Sequence, residues 1–266
     1  KISALALLFT LAACSGGSDT AGTEEGAVSY DSVVESSEHF EGFFDVYQDK
    51  ESGETYLAIK PEQIDQEFIY NSIVVDGVVE GGALRGYFAD NKIISLRRHF
   101  KRIEFVNDNT SFYFDPDNAL SRAADANISD AILAVQEIVA EDEASGTILI
   151  KADDIFLNES LQQIKRAPNP DPAAEKRFEL GTLSETKNKI YEVRSYPENT
   201  NVFVDYVYEN PAPVVRGQGD ITDSRFVSVR LQHSFVKVPE NDFQPRIDDP
   251  RVGYFTQYIT DQTTYK

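Results

Sequence analysis

Few side chains in this sequence could do chemistry. The histidines are His39, His99 and His233, and the single cysteine is Cys14. A hydrolytic zinc site of the H-E-x-x-H kind sets two imidazoles one helical turn apart, so that both lone pairs converge on one ion, and adds a carboxylate to activate water. None of the three histidines has a second ligand type at that spacing. The G-x-S-x-G elbow and the phosphate-cradling G-x-x-x-x-G-K and G-x-G-x-x-G loops are also missing. A Ser/His/Asp triad could still assemble in space, but nothing in the sequence marks a nucleophile. One cysteine excludes a disulfide framework and a Cys-ligated metal centre. The stretch from Asn107-Asp108-Asn109 to Asp115-Pro116-Asp117 has calcium-loop composition. It lacks the glycine and glutamate that an EF-hand requires at its sixth and twelfth positions, and it reads as a solvated turn. The chain is therefore expected to hold no catalytic residue, metal or cofactor of its own.

Two groups remain to be placed. His233 lies on the apolar face Val227, Val229, Leu231, His233, Phe235 of a strong strand pattern. It is either a core histidine satisfied by its neighbours or part of a surface presented to another domain. His99 belongs to the one basic cluster, Leu96-Arg97-Arg98-His99-Phe100-Lys101-Arg102, which is a solvated strand face or a set of cations paired with carboxylates.

The elements that must position these groups have a period of two. In Asn201-Val202-Phe203-Val204-Asp205-Tyr206-Val207-Tyr208 the even positions form one apolar face, the pattern of a half-buried antiparallel strand. Comparable segments are 55–59, 67–75, 92–100, 102–106, 111–114, 147–152, 189–194 and 225–238, with turn signals such as Asp76-Gly77 and Ala144-Ser145-Gly146 between them. Residues 129–143 suit a helix or a strand, and a hairpin turning at 141–146 is favoured. One short helix is expected over Ile155 to Arg166, and the Pro-punctuated run 167–172 can only be a loop. The fold class is mainly β (β-rich α+β), with antiparallel hairpins forming a sandwich or curved sheet.

Charge and the first residues bound the setting. Asp plus Glu number 45 against 25 Lys plus Arg, a net charge of −20. Such a surface repels phosphate backbones, so nucleic acid is excluded as a partner. Lys1, an apolar run to Ala13 and then Cys14-Ser15-Gly16 have the parts of a secretory signal, and the run is too short to span a bilayer. Leu11-Ala12-Ala13-Cys14 resembles the bacterial lipobox. That resemblance implies removal of residues 1–13, acylation of Cys14 as a membrane anchor, and a place in the cell envelope, at the outer membrane facing the periplasm or cell surface. Residues 14–38 are poor in large apolar groups and read as a flexible tether, leaving 39–266 as the folded domain.

The C-terminal part carries a second resemblance. His233-Ser234-Phe235-Val236, Val238-Pro239, Phe243-Gln244-Pro245-Arg246 and Asp249-Pro250-Arg251-Val252-Gly253-Tyr254-Phe255 occur in that order, the last few residues reading as an aromatic strand. Earlier come Gly42-Phe43-Phe44-Asp45-Val46-Tyr47 and Ile64-Asp65-Gln66-Glu67-Phe68. Together these resemble the N-terminal domain of unknown function that precedes the catalytic domain in bacterial zinc-dependent metallopeptidases of the Met-zincin type. The resemblance spans about Gly42 to Tyr265, and it implies a partner: the chain's own C-terminal peptidase domain, which would bring the zinc on an H-E-x-x-H helix further downstream. This chain then reads as the front part of a longer protein. Arg246 and Arg251, and His233 if it is presented outward, are the candidates for contact with that domain. The arginines could equally pair with Asp248, Asp249 or Glu240. A free-standing envelope lipoprotein that captures a peptide or glycan on an aromatic-rich β surface is the alternative.

Overall fold

A computed structural model describes residues 28–124, 126–167, 170–171, 173, 175–242, 251 and 259–262. The elements in chain order are α1 (Tyr30–Ser36), β1 (Ser37–Phe40), β2 (Asp45–Asp49), β3 (Thr55–Ile59), β4 (Glu67–Asp76), β5 (Phe88–His99), β6 (Arg102–Asn107), β7 (Phe112–Tyr113), β8 (Ala131–Glu141), β9 (Ile148–Lys151), α2 (Asp153–Phe156), β10 (Thr182–Leu183), β11 (Lys189–Tyr196), β12 (Asn199–Glu209), β13 (Phe226–Lys237) and β14 (Thr260–Asp261).

Twelve of the strands form one antiparallel sheet in the order β1-β2-β3-β9-β8-β6-β5-β4-β13-β12-β10, and β11 pairs with β12 on the same side as β10. The mainly β reading of the sequence is what the chain adopts. β3 falls on the expected residues, and the ambiguous stretch 129–143 is β8, turning into β9 where the hairpin was placed.

The sheet is curled rather than flat. β-bulges at Ser72/Ile73, Phe105/Val106, Ile138/Ala140, Ile190/Glu192 and Arg230/Leu231 bend successive strands and sharpen their twist. The curl brings the first hairpin against the last. Phe43 N–H donates to Tyr196 O at 2.7 Å, Phe44 N–H donates to Thr200 Oγ1 at 2.9 Å, and Ser195 Oγ donates to Phe44 O at 2.8 Å. Gly42 is needed at this seam, because a Cβ there would lie 2.2 Å from Ser195 Oγ and 2.5 Å from Tyr196 N.

The concave side is the core. Phe44, Phe68 and Phe235 meet edge to face with centroids 5.3–5.7 Å apart, the geometry that aromatic quadrupoles prefer. Leu57, Leu96, Phe105, Phe156, Leu231 and Val204 complete it without measurable exposure.

Two expectations need correction. Order begins before residue 39: α1 occupies part of the expected tether, started by a capping box between Ser29 and Ser32 and fastened by Val33 against Tyr47, Tyr56, Ala58 and Leu149. The helix expected over Ile155 to Arg166 amounts to one turn, α2, followed by irregular chain. There the Glu159 carboxylate accepts N–H bonds from Ile164 and Lys165 and the hydroxyl of Tyr208, at 2.8–3.0 Å. A side-chain anchor of that kind leaves no periodic signal. The aromatic strand expected around 253–255 lies outside the described residues, as do residues 168, 169 and 172 of the 167–172 loop.

Candidate functional site

The convex face of β11, β12, β13, β4 and β5 is built of registered rows. Arg194, Asn201, Ser234, Asn71 and Asn91 stand opposite one another across five strands and form a row of amides and a hydroxyl ending in a guanidinium. The neighbouring row is Glu192, Phe203, Gln232, Ile73 and Phe88, and on the other side Asn199, Val236, Ile69 and Ile93 form a third. Strands pack about 4.8 Å apart, so the two five-strand rows extend about 20 Å over the surface and the third about 15 Å.

Many of these residues are half-buried despite facing outward, because they cover each other. Ser234 Oγ donates to Asn201 Oδ1 at 2.7 Å and accepts from Gln232 Nε2 at 2.8 Å. The Arg194 guanidinium lies over the Phe203 ring, 4.9 Å from its centroid, while Glu192 holds it at 2.7 Å. Arg230 lies over Tyr191 at 5.2 Å and reaches Asp205 Oδ2 at 3.7 Å. Asp205 Oδ1 is buried and has no hydrogen-bond partner among the described residues. An acceptor removed from water normally has a donor, and the described residues supply none to this one.

At the β5 end the rows run into a cleft of about 570 Å³. Its floor is Ile69, Asn91 and Ile93, and its wall is the 107–111 loop with Ser129 and Ile259. The wall is held by Arg97, whose Nη2 lies 2.7 Å from Asp108 and 2.8 Å from Asp130, at the two ends of a long excursion from the sheet. The guanidinium and the Asn109 N–H hold the Asp130 carboxyl below its ordinary range, whereas burial pushes Asp108 up. Asp108 of the calcium-like stretch is therefore engaged by Arg97 and Ser95, and Asp115 caps its own turn by accepting from Asp117 N–H. Among the described residues no group of three or more His, Cys, Asp or Glu could hold a metal ion.

The sequence candidates fall in different places. His233 is a core residue with no exposed surface, so it presents nothing to another domain. Tyr206 O–H donates to Phe156 O at 2.6 Å, which leaves the Tyr206 oxygen to accept from His233 Nε2–H at 2.8 Å, and His233 Nδ1 then accepts from Tyr70 O–H at 2.9 Å. Burial, assisted by the Lys92 charge, pushes the imidazole down to about 3, so it stays neutral. Arg251 is an exposed turn residue, and Cys14 and Arg246 lie outside the described residues. The basic cluster divides: Arg97 and Arg98 pair with carboxylates, while His99, Phe100, Lys101 and Arg102 are exposed at a hairpin tip. The sequence reading missed the convex rows. Their one signal is a polar residue such as Asn71 or Asn201 at an outward position of an apolar strand, and strand register, which aligns them, is not written in any one segment.

These features define a mainly β domain: a curled antiparallel sheet with a closed core and an outward face of mixed amide and apolar rows. More particularly, the chain belongs to the family described as DUF5117, a domain of unknown function, whose model matches residues 86–265. No curated protein matches the chain, and no solved structure does.

Proposed function

We propose that this chain is the non-catalytic N-terminal region of a lipid-anchored envelope zinc metallopeptidase, and that its convex face packs against the downstream catalytic domain and helps shape the substrate cleft. The observation that carries the docking is the convex face itself: half-buried apolar side chains such as Ile69, Ile73, Ile93 and Val236 flank a row of amides, and among the described residues the buried Asp205 Oδ1 has no donor. An interface core of this composition, apolar with a few unsatisfied polar groups, suits a folded neighbour. The identity of that neighbour comes from the resemblance of 233–255 and 42–68 to the region preceding Met-zincin peptidase domains, and the anchor at Cys14 comes from the lipobox. The same face favours a second reading, a free-standing lipoprotein that binds a glycan or peptide, because aromatic rings beside a row of amides also suit sugars.

The test compares this chain with the product of its reading frame extended past Lys266. The extended protein should bind one zinc, cleave peptides in a chelator-sensitive way, and exchange the amides of 69–73 and 201–205 more slowly than the shorter one. Stoichiometric zinc and chelator-sensitive cleavage in the shorter chain would sink the non-catalytic assignment, and a stop codon directly after Lys266 would favour the second reading. In the same cells a Cys14→Ser variant should lose detergent-phase partitioning.

A further inference from the structure

We propose that the tip of the β5–β6 hairpin, Arg98 to Arg102, is a contact point for an anionic phospholipid surface. His99 pairs with Arg102, so the connecting loop is Phe100-Lys101 alone. Phe100 is 83% exposed, more than any other large apolar residue among those described, and its φ is +54°. The first position of a two-residue hairpin with positive φ is where glycine belongs. A bulky residue there is strained, and this one recovers little by packing: its ring meets the edge of His99, centroids 4.7 Å apart, and otherwise faces solvent.

The tip is held rigid. Arg98 turns back into a two-pronged pair with Glu141 at 2.8 and 3.0 Å and donates from Nε to Phe100 O at 3.2 Å, while Lys101 O accepts the N–H of Ile138 at 2.9 Å. Lys101 and Arg102 have no ion-pair partner among the described residues, although Glu137 stands opposite Arg102 across the strands. In a chain of net charge −20 this is the one basic cluster. An acidic protein meets an anionic membrane at the place where its charge reverses, and an exposed aromatic ring between cations suits the headgroup boundary. The inference does not depend on the lipid at Cys14. With that anchor it would supply the second attachment that makes acylated proteins stay bound.

The sequence contains no tryptophan, so Phe100→Trp in the full chain is a single reporter, and Tyr196→Trp at the exposed end of β11 is its control. With vesicles of equal parts phosphatidylcholine and phosphatidylglycerol, emission from the Phe100→Trp protein should shift to the blue and be quenched by brominated acyl chains. The control should do neither, and vesicles of phosphatidylcholine alone should give no shift. Replacing Lys101 and Arg102 together by alanine should lower affinity roughly 25-fold, about fivefold for each cation. Phe100→Gly separates function from folding: it relieves the strained φ, so it should melt no lower than the parent while losing the vesicle contact. Vesicle-bound protein with unshifted Phe100→Trp emission, equal response from both reporters, equal response to neutral vesicles, or no vesicle binding would each overturn the proposal. The first of these would leave the Cys14 anchor standing.

Discussion

A neutral imidazole sealed between two tyrosines ties the stability of this fold to pH. His233 in the folded chain titrates at about 3, and in an unfolded chain at about 6.5. Between those values the unfolded state holds one more proton. The contribution of His233 is therefore complete above pH 6.5 and is lost as pH falls toward 3, at up to about 1.4 kcal/mol per pH unit. A His233→Leu variant should lose about 2 to 4 kcal/mol at neutral pH, since Tyr70 O–H is left without its acceptor in a closed core. Its urea midpoint should also fall less steeply than the parent's between pH 6.5 and 4.5, and parallel midpoint curves would contradict this account. The alternation of residues 227–235 was enough to put His233 on an apolar face, but not to say what lies against it. Its partners come from β4, β12 and α2: the first two are the strands paired with β13 on either side, so the choice is made by strand order and register, which no single segment records.

At the scale of elements, the strands were legible and their closure was not. Alternation such as that of 201–208 identifies β12 because burial on one face imposes a period of two. The seam between the first and last hairpins leaves only a glycine, a serine and a threonine in the sequence, each commonplace alone. Gly42 is the sensitive point: in Gly42→Ala the new methyl meets Ser195 Oγ and the backbone of Tyr196, so the hairpins must separate or the strands shift. Overpacking of that kind costs about 1 to 3 kcal/mol. Thermal melting should report the loss, with faster hydrogen exchange confined to 42–47 and 194–200. An unchanged melting temperature would mean that the seam carries little of the stability. The convex rows were illegible for the same reason as the seam. Asn71, Asn91, Asn201 and Ser234 become a feature only once four strands are in register.

At the scale of the whole molecule, the family match and the folding unit do not coincide. The match begins at residue 86, just before β5, whereas the sheet begins at Ser37. The missing portion is not peripheral. β4 lies between β5 and β13, both within the match, and supplies Phe68, Tyr70 and Val74 to the core. Removing it would expose the facing edges of β5 and β13, two long rows of unpaired backbone groups of the sort that drive aggregation. It would also strip Tyr70 from His233 and Phe68 from the aromatic cluster. β1 to β3 add Phe44, Leu57 and Ile59 to the same core and close the curl. A chain starting at residue 86 should therefore be insoluble or lack a cooperative melting transition, whereas one starting at residue 28 should melt as the full chain does, since α1 and its cap are retained. Circular dichroism and melting of the two truncations decide the matter: a soluble, cooperatively melting chain from residue 86 would mean that the segment matched by the family model folds without β4 and that the first four strands are an addition to it.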